Sequence, residues 1–125
     1  MAEPTGLSTE QIRALAILKG VPALSIAGIR DLAAMKLSAI SKRGIKRDFW
    51  DLHEIVNASP IDLDHAFDAY LEKFGVRQAD LYHVMRALTY FSDADHEQVF
   101  PIGLTPSHWE RIKHYFRRTA PLRLT

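Results

Sequence analysis

The chain has 125 residues, enough for one compact domain and too few for two ordinary ones. With 47% hydrophobic and 25% charged residues its composition is globular, and a formal net charge of +1 supplies no global attraction to nucleic acid or anionic membrane. It has no cysteine, which excludes disulfides and thiolate metal centres.

Residues 1–7 read as a loose tail. They have neither the basic start nor the apolar stretch of a signal peptide, and no run approaches the roughly 20 apolar residues that span a bilayer, so a cytoplasmic location without membrane contact is expected. Ser8-Thr9-Glu10-Gln11 has the form of a capping box and predicts a helix through Lys19, stopped by Gly20. Val21 to Ile26, with Pro22, predicts one short extended segment. A second helix is expected from about Ile29 to Arg43, with Gly44 as its stop. A third follows from about Lys46 to Asn57.

Ser59-Pro60 then reads as an N-cap and first-turn proline, with Asp62 in the opening turn. The fourth helix sets Leu63, Phe67, Tyr70, Leu71 and Phe74 on one stripe and ends at Gly75. The fifth, Gln78 to Phe91, does the same with Leu81, Val84, Met85 and Leu88. Residues 92–104 read as a loop containing Pro101 and Gly103. Thr105-Pro106 opens a last helix that presents Trp109, Ile112 and Phe116 on one face and stops at Pro121, leaving 121–125 as a tail. The expectation is a mainly α fold, a single bundle of short helices over residues 8–120.

The chemistry concentrates between Lys36 and Asp51. At 100° per residue, Lys36 falls in the middle of the apolar stripe formed by Ile29, Ala33 and Ile40, and Arg43 continues that face. An ammonium group there must snorkel, pair with a carboxylate or bind an anion. Asp48 and Asp51 on the next helix are the available acids. Asp48 projects between Leu52 and Ile55, and Arg47 can reach Asp51 along the helix surface. The cluster of Lys36, Arg43, Arg47, Asp48 and Asp51 suits a triphosphate held by cations that carboxylates orient. It suits equally an ion-pair network that locks two helices together. Lys42 and Lys46 add positive charge near the turn, and a solvated face explains them equally well.

The spacing of Lys36, Arg43, Arg47-Asp48 and Asp51, with the lead-in Ile29 to Lys36, resembles the C-terminal signature of the AbiEii/AbiGii nucleotidyltransferase toxin family. Leu71-Glu72-Lys73-Phe74, Ala87 to Asp95 and Trp109 to Lys113 resemble it too, so the likeness covers about residues 21–118. It implies the helical C-terminal half of a polymerase-β-like nucleotidyltransferase, the toxin of a bacterial abortive-infection or toxin–antitoxin pair. Such proteins transfer nucleotides from a triphosphate, some relatives to tRNA ends. The resemblance makes Lys36, Arg43 and Arg47 nucleotide contacts. It makes Asp51, with Asp48 beside it, a catalytic or site-organising acid.

The family's N-terminal half has a Gly-Gly or Gly-Ser turn followed by paired acids that hold magnesium. This sequence contains neither dipeptide. Its pairs Asp62-Leu63-Asp64 and Asp93-Ala94-Asp95 lack that turn and its strand. The expectation is a chain inactive alone and without its own cofactor. It would use magnesium and a nucleoside triphosphate only if an N-terminal half completed it, with an antitoxin or a second copy as other partners.

Six histidines are present without the His-Glu-x-x-His spacing of a zinc helix, and no metal ligands are assigned. His96, beside Asp93, Asp95 and Glu97, fits a metal ligand weakly and a solvated acidic loop better. Ser25, Ser38 and Ser41 lack a nucleophile-elbow context. On the last helix Arg111, Lys113, Arg117 and Arg118 alternate with Trp109, Tyr115 and Phe116. That pattern fits an RNA-backbone patch or an ordinary helix with its aromatics inward. A non-catalytic helical interaction module remains the other reading of the whole chain.

Overall fold

A computed structural model describes residues 26–75 and 77–120. The expected helix at 8–19, all but Ile26 of the expected strand, and Pro121 with its tail lie outside the described residues. Within them the order is α1 (Ile26–Lys42), α2 (Lys46–Ala58), α3 (Leu63–Phe74), α4 (Gln78–Ala87), a single turn α5 (Ser92–Asp95) and α6 (Pro106–Thr119). The fold is mainly α, and the described residues include no strand. Ile26, expected at the end of an extended segment, instead opens α1.

The helix stops follow from backbone geometry. Gly44 and Gly75 take positive φ values of 54° and 62°, where a side chain would be strained, and turn the chain out of α1 and α3. Two further boundaries differ from expectation. The N-cap of α3 is Asp62, whose carboxylate accepts the His65 amide at 2.8 Å. Ser59 instead closes α2, its hydroxyl donating to the Ile55 carbonyl and accepting from the Ile61 amide. α4 ends at Ala87 rather than Phe91. The Thr89 and Tyr90 amides reach back only three residues, to Arg86 and Ala87, and this tightened turn breaks the helix before α5 begins inside the expected loop. Thr105 caps α6 as expected, its hydroxyl accepting the His108 amide.

α1 lies against α2, α3 and α4. Its start meets the end of α3, where Arg30 pairs with Glu72 and Lys73 with Asp31, so the two helices run antiparallel. Ala33 and Ala34 on α1 and Ala66 and Ala69 on α3 are buried, small side chains suited to close pairing. The core continues through Leu37, Leu52, Ile55 and Phe67, all without solvent exposure. On its far side α2 packs on α6. Phe49 sits among Phe91, Trp109 and Phe116 with ring centroids at 5.2, 5.8 and 6.1 Å. Burial of an aromatic side chain of this size contributes about 3 kcal/mol.

Lys46, which a solvated face explained from sequence as well as the charge cluster did, is only 1% exposed. Its ammonium donates to the Ala94 and Glu97 carbonyls at 2.6 and 3.0 Å and lies over the Phe100 ring. Glu97 in return accepts the Lys46 amide. Ile45, at the N-cap of α2, has no capping side chain, so this distant carboxylate satisfies the helix start. Among the described residues no helix is long and apolar enough to cross a membrane.

Candidate functional site

Lys36 and the two acids meet between α1 and α2. Lys36 Nζ lies 2.8 Å from Asp51 Oδ2, while Arg47 Nε approaches the other oxygen of Asp51 at 3.2 Å. Arg43 forms a two-pronged bond to Asp48, Nε to Oδ2 and Nη2 to Oδ1, both at 2.8 Å. That bond, and the charge of Asp48 behind it, raise the pKa of the guanidinium above its ordinary value. Asp48 stands in the first turn of α2, where the backbone dipole also favours a negative charge.

Exposure separates the two signs of charge. The side chains of Asp48 and Asp51 are 0% and 4% exposed, whereas those of Lys36, Arg43 and Arg47 are 19%, 59% and 39% exposed. The acids form a floor and the cations a solvent-facing layer. An anion approaching from solvent meets the cations first. The carboxylates hold those cations in place without reaching an approaching ligand. Arg47 is further ordered by stacking over the Trp50 ring at 5.3 Å.

Beyond Arg43 the surface opens into a cleft of about 360 Å³. Lys42, Arg43, His83, Arg86 and Tyr90 line it, with Asp93 at one side. Its size is at the lower end for small-molecule pockets. Sequence reading missed the contribution of α4. His83, Arg86 and Tyr90 are exposed, away from the buried Leu81, Val84 and Leu88. The signal was legible as the polar face of an amphipathic segment, but nothing in the sequence brought that face beside Arg43.

The four cations considered for RNA fall into two groups. Arg111, Arg117 and Arg118 are exposed, and Arg117 lies over the Phe91 ring. Lys113 is 7% exposed and paired with Asp95 and Glu110 at 3.1 and 2.8 Å. Burial opposes its charge, but Glu110 and Asp95 outweigh burial and raise its pKa. Asp95 also accepts from the Trp109 indole at 2.7 Å. Burial opposes its ionisation as well, yet the Trp109 bond and Lys113 hold the carboxyl below its ordinary value. Asp95 therefore joins α5 to α6. The ring of His96 turns back to the Ser92 carbonyl.

Comparison with known proteins adds the family. An uncharacterized protein of Aquifex aeolicus (strain VF5) is 36% identical over 93 residues, which cover 74% of this chain and 43% of that protein. The chain thus matches less than half the length of that relative. No solved structure matches. The sequence model of the nucleotidyl transferase AbiEii toxin family, type IV toxin–antitoxin system, matches residues 3–123, nearly the whole chain. The chain belongs to the AbiEii nucleotidyl transferase toxin family.

Proposed function

We propose that this chain is the phosphate-contacting helical part of a nucleotidyltransferase toxin, acting in a type IV toxin–antitoxin system. One observation carries the reading: Arg43 is fixed from below by a fully buried carboxylate while it lines a cation-rich cleft. A guanidinium held in this way keeps free edges for a phosphate and loses little freedom on binding. Lys42 and Arg86 add charge at the cleft, and Tyr90 offers a ring for a base. Lys36 and Arg47 extend the cationic layer, and Asp48 and Asp51 organise it.

The closely spaced acid pairs do not fit the magnesium ion that the family's chemistry implies. Asp48 and Asp51 are turned to cations. In the pair Asp62 and Asp64 the first caps α3, and in the pair Asp93 and Asp95 the second holds Trp109 and Lys113. The metal-holding carboxylates would come from a further part of a longer protein or from a second chain. On this reading the chain alone binds nucleotide and transfers none.

Calorimetry with ATP, GTP, CTP and UTP tests the proposal. At least one triphosphate binds, and Arg86→Ala weakens it about 10-fold, the value of one charge-assisted contact. Arg86 is exposed, so this variant keeps the fold. Absence of binding to the unaltered chain overturns the reading, and transfer of labelled nucleotide to RNA by the chain alone overturns its inactivity. A second reading, a non-catalytic interaction module, draws on Val99 and Ile102, which are 81% and 97% exposed between α5 and α6. It predicts no triphosphate binding and loss of an antitoxin or catalytic partner on Ile102→Asp.

A further inference from the structure

His53 and His108 are far apart in sequence, on α2 and α6. In the fold their ring centroids are 6.1 Å apart at an interplanar angle of 72°. Glu54 adds a carboxylate, and one ligand atom from each of the three lies within 4.8 Å of the other two. A transition metal bound at about 2.0–2.2 Å brings its ligands somewhat closer together than this, a difference that small side-chain rotations close.

A second observation is independent of this spacing. His53 Nδ1 is buried and has no hydrogen-bond partner. A buried ring nitrogen left in this way costs about 1–3 kcal/mol unless something satisfies it. That nitrogen has almost no solvent-accessible surface, and Tyr115 and Phe116 lie against the ring with centroids at 5.1 and 6.2 Å. Burial first, then His108 and Arg111, lower the His53 pKa to about 4.

We propose that His53, Glu54 and His108 form a binding site for Zn²⁺ or a similar first-row transition metal ion. Two imidazole nitrogens and one carboxylate oxygen suit zinc and its neighbours in the series, and do not suit magnesium or calcium, which take oxygen-rich sets. Three protein ligands leave one position of a tetrahedral site for water. The ligands belong to two helices, so the ion clamps α2 to α6. Arg111, whose charge acts on His53, opposes the metal's charge and weakens the affinity. The site is on the α6 side of α2, away from Lys36 and Asp51, and does not depend on the nucleotide reading.

The test titrates Zn²⁺ into the full chain, prepared without a histidine tag and stripped of metal. One equivalent binds, and Tm rises by roughly 8 °C at a hundredfold excess over Kd. Co²⁺ gives the intense visible bands of a tetrahedral site. His108→Gln and Glu54→Gln each weaken binding at least ~10-fold and remove the cobalt bands. Both groups are only partly buried, so these variants fold even where His53→Ala does not. Failure of Zn²⁺ to bind, or binding unchanged in His108→Gln, overturns the site.

Discussion

The two sides of α2 solve the problem of buried polarity differently. Towards α1, Asp48 and Asp51 are buried, and every carboxylate oxygen has a cation on it. Towards α6, aromatic rings surround Phe49, while His53 Nδ1 and Trp50 Nε1 are buried without a partner. The first side is electrically complete within the chain and presents spare cationic edges outward. The second is complete in packing but not in hydrogen bonding, and there a ligand has something to add. Both arise from one helix because its acids and its rings project about 100° apart per residue.

Breaking each side in turn should give effects of different size and kind. The largest is Phe49→Ala, which empties the centre of the aromatic cluster and costs about 4 kcal/mol in urea unfolding. Arg43→Met comes next at about 3 kcal/mol, because Asp48 is left as an uncompensated buried charge. Replacing Asp48 by leucine in that variant should recover much of the loss, which distinguishes a buried-charge penalty from lost packing. Lys46→Met keeps the methylene stem and removes the bonds to the Ala94 and Glu97 carbonyls, for about 2 kcal/mol. Its effect should be concentrated in faster amide exchange at the start of α2 and in α5.

The smallest effect concerns pH. The carboxyl of Asp95 is held below its ordinary value of 3.8 when folded. Its contribution is present above that value and is lost as pH falls through the lower, folded one. Acid unfolding of Asp95→Asn should therefore depend less on pH below about 4 than that of the unaltered chain. Equal slopes in the two proteins would remove Asp95 from the coupling of α5 to α6.

Much of the α1 side was legible in the sequence. Lys36 in the middle of an apolar stripe had to snorkel, pair with an acid or bind an anion, and Asp51 on the next helix pairs with it. Gly44, Gly75 and Thr105 act through local geometry, so their roles could be read from neighbouring residues. The misplaced cap at Ser59 shows the limit, since two residues with capping side chains stood close together, and Ser59 bonds back to Ile55 while Asp62 takes the cap. Lys46 was misread although Phe49, Trp50 and His53 follow it on one stripe. Its burial depends on Ala94 and Glu97, carbonyls that only the folded chain brings near. The meeting of His53 with His108, and of His83, Arg86 and Tyr90 with Arg43, likewise depends on how helices pack and leaves no mark in residue spacing.

The central claim is that Asp48 aims Arg43 at a phosphate. It is tested most directly by measuring triphosphate affinity of Arg43→Lys beside that of the unaltered chain, with urea unfolding of both. Lysine keeps the charge and the ion pair but cannot hold Asp48 with two bonds and still present a fixed edge. The prediction is a folded protein whose affinity falls at least ~10-fold. Undiminished affinity in a folded Arg43→Lys chain would contradict the claim and leave the α1–α2 charges as a lock between helices.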